Sequence, residues 1–132
     1  MSKGNNMHKV LILGAGMVAR PMVRYLLENG VHVTLASRTV SKAEAMIRGH
    51  SLGKAVAWTV DDETTLDRLV SDHEVVVSLL PYAHHLLVAK HCLKHRRNLV
   101  TTSYVKPEMQ VLEGEARKQG ILILNEIGLD PG

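Results

Sequence analysis

Val10-Leu11-Ile12-Leu13-Gly14-Ala15-Gly16-Met17-Val18-Ala19 decides the fold. Four consecutive aliphatic residues read as the centre of a buried strand over residues 8–13 that stops at Gly14. Residues 17–28 follow as a helix, with Val18, Met22, Tyr25 and Leu26 at helical spacing and Asn29-Gly30 as its stop. A G-x-G-x-x-A turn sits where strand passes into helix. Gly14 permits the tight turn, Gly16 lets a pyrophosphate approach the backbone, and Ala19 is small enough for close helix–sheet packing. Free N–H groups and the helix dipole at that point attract phosphates. The turn therefore predicts a bound dinucleotide, with a merely tight strand-to-helix turn as the plain alternative. Pro21 falls early in the helix, where a missing hydrogen bond costs less than it would in the middle.

The same rhythm runs outward from this turn. Residues 31–36 and 55–60 read as strands, each followed by a helix whose apolar positions are Ala43, Met46 and Ile47, then Leu66, Leu69 and Val70. Val75-Val76-Val77-Ser78-Leu79-Leu80 is a strand closed by Pro81. A helix over residues 83–95, a strand over 98–101, a helix over 107–119 stopped by Gly120, and a strand over 121–124 complete the chain. Continuous rather than alternating apolar strands imply a sheet covered on both faces. Strand–helix alternation implies parallel pairing with right-handed crossovers. The predicted fold class is α/β: a doubly wound, Rossmann-like sheet of six strands in the order 3-2-1-4-5-6. Residues 1–7 read as a flexible N-terminal segment and 8–132 as one domain.

Composition removes other classes. The chain has 132 residues, 45% of them apolar, enough for a single core that buries roughly two thirds of the unfolded surface. Phe is absent, so the core is aliphatic. No apolar run reaches the roughly 20 residues needed to span a bilayer, so no membrane partner is expected. The net charge of +3 comes without a Lys/Arg run longer than Arg96-Arg97, which gives nucleic acid no footprint. The one cysteine, Cys92, excludes an internal disulfide framework and suits a reducing, cytoplasmic setting.

Cofactor choice depends on the end of the second strand. An NAD site would place Asp or Glu there for the ribose 2′-OH; this chain has Ala36-Ser37-Arg38-Thr39. A 2′-phosphate could sit against the Arg38 guanidinium with Ser37 and Thr39 hydroxyls donating, which predicts NADP over NAD. A solvated loop arginine is the plain alternative.

Several stretches together resemble the saccharopine reductase family, the glutamate-forming saccharopine dehydrogenases. They are Leu13 to Pro21, Val77-Ser78-Leu79-Leu80-Pro81-Tyr82, Thr101-Thr102-Ser103-Tyr104-Val105 and Asn125-Glu126-Ile127-Gly128-Leu129-Asp130-Pro131-Gly132. The Ser-Arg pair after strand two is similar to the NADP-using fungal branch. The resemblance implies that Met17, Val18 and Ala19 line the pyrophosphate with Gly14 and Gly16. It implies that Ser37, Arg38 and Thr39 take the adenosine phosphate, and that Thr59 and Val60 lie at the adenine. Family members often carry Asp where Thr59 stands. Leu80 is implied near the nicotinamide, Ser103 and Tyr104 at the substrate, and Leu129-Asp130-Pro131 in the loop between cofactor and substrate, with Asp130 touching both.

Other constellations are set aside. His84, His91 and His95 share a stripe with Val88 on the helix over 83–95. No acidic or Cys residue completes a metal set, Cys92 pointing about 100° away from His91, so a solvated face is expected and no metal is assigned. His84 is the histidine nearest the predicted cleft. Cys92 lacks a base partner and reads as core. Asp61, Asp62 and Glu63 read as helix-start acids, and Met7, Met17, Met22, Met46 and Met109 as aliphatic packing.

The resemblance implies the NADP-binding part of an oxidoreductase acting on a C–N bond. The whole enzyme would condense 2-aminoadipate 6-semialdehyde with glutamate and reduce the imine to saccharopine. No residue is assigned as general acid or base. The family's substrate domain is expected to lie outside this chain, so NADP binding without turnover is expected. A homodimer stays open, as do a non-enzymatic NADP-binding or sensing module and a related carboxyspermidine- or opine-type dehydrogenase.

Overall fold

Strand β1 (Lys9–Leu13) leads into helix α1 (Ala19–Glu28), and the alternation continues through β2 (His32–Ser37), α2 (Val40–Ile47), β3 (Gly53–Ala57) and α3 (Glu63–Ser71). It ends with β4 (Val75–Ser78), α4 (Tyr82–His95), β5 (Asn98–Thr101), α5 (Pro107–Gln119) and β6 (Ile123–Leu124). The computed structural model describes residues 8–102 and 107–124; the flexible segment expected over 1–7 lies outside them. The six strands form one sheet in the order β3-β2-β1-β4-β5-β6, every pairing parallel. This is the predicted topology.

Both faces of the sheet are covered. Val10, Ile12, Val33, Leu35 and Val77 pack with Ala19, Val23, Leu27, Ala43, Met46 and Ile47 from α1 and α2. Leu11, Leu13, Val76 and Leu99 pack with Leu66, Val70, Val88, Cys92, Met109 and Ala116 from α3, α4 and α5. Alternate residues of one strand thus enter opposite cores, which is why β1 reads as an unbroken apolar run. Leu11, Ile12 and Leu13 are fully buried, each contributing about 1.5–3 kcal/mol relative to exposure.

Some boundaries differ from expectation. Strand three spans Gly53–Ala57, so Thr59 and Val60 lie beyond its end rather than in it. β4 stops at Ser78, leaving Leu79 and Leu80 in the turn, and β6 (Ile123–Leu124) starts two residues later than expected. Helix α1 begins at Ala19, and its buried face is Ala19, Val23 and Leu27; Val18 and Tyr25 are exposed. The helix turns its smallest residue to the sheet because the glycine turn brings that first turn close to β1. Pro21, third in α1, belongs to the four residues whose N–H has no intrahelical acceptor, so it removes no helical bond at all. Gly30, at φ +79, closes α1 after Asn29, as the sequence predicted. No described helix is long and apolar enough to cross a membrane.

Candidate dinucleotide site

A cleft of about 530 Å³ opens at the carboxyl ends of β1, β2, β3 and β4. β2 lies on one side of β1 and β4 on the other, so this is the point where the strand order reverses, the position at which open α/β sheets bind ligands.

Its centre is the glycine turn. Gly14 has φ +104, a conformation L side chains rarely adopt, and a Cβ there would lie 3.4 Å from the Leu79 carbonyl oxygen. The Gly14 N–H donates to the Ala36 carbonyl at 2.8 Å, so this glycine serves the fold. Gly16 is different: a Cβ would meet nothing within 4 Å, which leaves open space over the backbone. Val18 caps α1 with no side-chain bond, and the first turn holds no acid. Among the described residues, the amides of Gly16, Met17 and Val18 donate to no protein acceptor. Uncapped amides beside an unobstructed glycine are the donor set that a diphosphate needs.

One flank is built by β2 and α2. Ser37 is buried, and its Oγ accepts the Thr39 N–H at 3.2 Å, which folds the β2–α2 turn. Arg38 and Thr39 stand exposed, and Lys42, in the first turn of α2, reaches the same cleft. Thr39 makes no side-chain cap and α2 has no acid in its first turn. Arg38 and Lys42 have no ion-pair partner among the described residues. Two unpaired cations and two hydroxyls at an uncapped helix start fit a phosphate on the ribose. Behind them Trp58, 4% exposed, donates from Nε1 to the Asp62 carbonyl at 3.0 Å and from its main chain to Ser37. Thr59, Val60 and Asp61 follow it along the wall. The opposite flank is Leu79, Leu80 and Pro81, with His84 beside them.

The structure thus brings Gly14, Gly16, Ser37, Arg38, Thr39, Thr59, Val60 and Leu80 to one cleft. Met17 and Val18 stand exposed at its mouth rather than in its wall, and Ala19 is buried under it in the core. Met17, 92% exposed, does not have the packing role expected of it, because it projects from the turn away from both cores. Ser103, Tyr104, Leu129, Asp130 and Pro131 lie outside the described residues. Lys42, Trp58 and Asp61 were missed. Asp61 does not cap α3: that role falls to Asp62, whose carboxylate accepts the Thr65 N–H at 3.0 Å. Lys42 had a readable signal, since it lies three residues past Thr39 on the turn that opens α2.

The histidine stripe on α4 also needs correction. His91 and His95 each lie 2.9 Å from Asp67 Oδ1, which also accepts from Lys94 at 3.1 Å, while Glu63 lies 3.4 Å from His91. Acids from α3 therefore face these histidines, and His91 and His95 form a half-buried, hydrogen-bonded seam rather than a solvated face. His95, His91 and Lys94 hold the Asp67 carboxyl well below the usual carboxylate range. Among the described residues no metal-binding group is present. Cys92 is core as expected; burial pushes its thiol up to about 12.

Comparison with known proteins shows the family and the fold. The model of the saccharopine dehydrogenase NADP-binding domain matches residues 10–124. The fission yeast Schizosaccharomyces pombe saccharopine dehydrogenase [NADP(+), L-glutamate-forming] is 46% identical over 127 residues, 96% of this chain and 28% of its own length. Mouse mitochondrial alpha-aminoadipic semialdehyde synthase is 38% identical over 94% of this chain and 14% of its own. The apo structure of the Saccharomyces cerevisiae L-Glu-forming enzyme superposes with a TM-score of 0.85 at 40% identity, covering 95% of this chain and 28% of that one. The chain thus spans little more than a quarter of the yeast relatives' length. Its glycine turn, its cationic second-strand end and these matches converge: the chain belongs to the saccharopine dehydrogenase NADP-binding domain family.

Proposed function

We propose that this cleft binds NADP(H) and that the chain is the cofactor-binding part of an enzyme interconverting saccharopine with glutamate and 2-aminoadipate 6-semialdehyde. The observation that carries the nucleotide reading is that the free amides leading into α1, in the wall and at the mouth of the cleft, share it with Arg38 and Lys42, which have no ion-pair partner among the described residues. The substrate reading is supported by the relatives' names and by the Ser103-Tyr104 and Leu129-Asp130-Pro131 stretches. Cytoplasmic placement is part of the proposal, supported by the lone free thiol.

When bound, the nicotinamide supplies hydride chemistry; the residues of this chain hold and orient it. The α1 amides take the diphosphate, Arg38 and Lys42 the 2′-phosphate, and Trp58 with Thr59 and Val60 wall the adenosine side. Leu79, Leu80 and Pro81 present apolar surface to the other half and keep water from it.

The chain contains a single tryptophan, and it lines this cleft. Titration with NADPH is therefore expected to quench Trp58 emission by energy transfer to the dihydronicotinamide. Binding should be at least tenfold tighter than for NADH, the discrimination expected of a phosphate paired with a guanidinium. Equal affinities would overturn the NADP assignment, and absence of quenching with either would overturn the site. This chain alone is expected to show no saccharopine-dependent NADPH formation; measurable turnover would overturn its role as the cofactor part only.

A further inference from the structure

The flank formed by Leu79, Leu80 and Pro81 is held from behind by two buried side chains. Ser78 ends β4 and His85 is the fourth residue of α4; Ser78 Oγ and His85 Nδ1 are hydrogen-bonded at 2.8 Å. Neither residue exposes any surface (0% each). The bond closes the turn like a staple, with the three cleft residues between its ends. Burial pushes the His85 imidazole down to about 4, so the ring is neutral near pH 7. Its Nε2 is buried without a partner among the described residues, and the Tyr82 ring packs edge-on at 6.1 Å. An apolar side chain of similar size would fill the space without stranding a polar atom. The imidazole is therefore explained by its bond to Ser78, not by burial.

The wall it secures is tied to the glycine turn. Leu79 N–H donates to the Leu13 carbonyl at 2.9 Å, and the Leu79 carbonyl faces Gly14. With the 2′-phosphate over β2 and the diphosphate over β1, the β4 side is what remains for the second nucleoside. We propose that His85 is a positioning residue: through Ser78 it sets the Leu79-Leu80-Pro81 wall on which the nicotinamide half of the dinucleotide rests. This inference depends on the nucleotide reading above.

Two probes separate the halves of the ligand: NADPH, and 2′,5′-ADP, which lacks the nicotinamide nucleoside. Three variants separate the ring nitrogens. Ser78→Ala removes one end of the staple. His85→Gln carries its amide toward the Nε2 position and abandons Ser78, whereas His85→Asn keeps a polar atom near Nδ1. NADPH affinity is expected to fall about tenfold in Ser78→Ala and His85→Gln and to recover within threefold in His85→Asn. Binding of 2′,5′-ADP should stay within twofold throughout. Unchanged NADPH affinity, no recovery with Asn, or parallel loss of both ligands would each overturn the positioning role. If the unsubstituted chain binds neither probe, it is the nucleotide reading itself that has failed.

Discussion

Arg38 and Lys42 differ in what they can recognise, although each adds one positive charge to the cleft. A guanidinium can donate two parallel hydrogen bonds to a phosphate, whereas an ammonium acts as a compact point charge. Arg38→Gln is therefore expected to weaken NADP binding about 10- to 100-fold, in line with roughly 1.5–3 kcal/mol for a charged hydrogen bond. Lys42→Gln should cost about tenfold or less. NAD affinity should stay within twofold in both, since NAD offers no phosphate at that place. Titration of Trp58 fluorescence with the reduced forms, NADPH and NADH, checks this, and a parallel fall for NADH would count against the assignment. Arg38's place in the cleft was legible in sequence because it directly follows β2. Lys42 and Asp61 were not, because their share in the cleft depends on where α2 and α3 begin, a boundary fixed by tertiary packing.

The three βα turns that flank the glycine turn share a device at the element scale. Each is closed by a local bond that uses a side chain: the Thr39 N–H donates to Ser37 Oγ, Trp58 Nε1 donates to the Asp62 carbonyl, and Ser78 Oγ bonds with His85 Nδ1. Among the described residues the β1–α1 turn has no such closure, which leaves its amides open at the cleft. Outside the turns, elements are set by close packing, most tightly where β3 meets α2. A Cβ at Gly53 would lie 2.5 Å from Ile47 Cγ2 and 3.2 Å from Cγ1. Ile47 is 4% exposed and branched at Cβ, so it cannot swing clear. Gly53→Ala should therefore destabilise the fold by about 1–3 kcal/mol, lowering the melting midpoint by roughly 3–10 °C; an unchanged midpoint would show that α2 yields freely. Strand order and helix count were legible because β1, β2 and β4 are buried on both faces and their aliphatic runs are unambiguous. Edge strand β3 is half-exposed along its length, so its pattern Gly-Lys-Ala-Val-Ala gave no strong phase and its limits slipped. The buried face of α1 was misjudged for a related reason: Val18, Met22, Tyr25 and Leu26 outweigh Ala19, Val23 and Leu27 in apolarity, but the smallest residue goes to the closest contact.

At the scale of the whole molecule, two cores on opposite faces of one sheet leave the cleft as the consequence of the strand order, and that much follows from the chain's rhythm alone. What rhythm could not show is which polar groups the cores enclose. His85 lies on the α3–α4–α5 side, and His73 is buried between the Leu69 carbonyl and Thr34 Oγ1, at 2.7 and 2.8 Å. Burial lowers both histidines, His85 to about 4, with neighbouring lysines Lys9 and Lys54 adding to the effect at His73. Below their ordinary value near 6.5 the unfolded chain takes up protons that the folded one refuses, so stability falls as pH drops from about 7 toward 4. Once the folded His85 itself protonates, near 4, its share of the loss is complete. The carboxylates act in the next window. Asp67, held low by His95, His91 and Lys94, and Asp62, held low by Thr65, stabilise the fold above about pH 4, and that stability is lost as pH falls further. The melting midpoint should therefore decline in two stages with acid. His85→Gln is expected to flatten the upper stage, since it removes a proton acceptor from the unfolded state whatever it does to the midpoint at neutral pH. Asp67→Asn should flatten only the lower one. Thermal melts at half-unit intervals from pH 7.5 to 3 read both slopes, and a midpoint that stays level from 7 to 4.5 would mean that the buried histidines take up protons as readily in the folded chain as in the unfolded one.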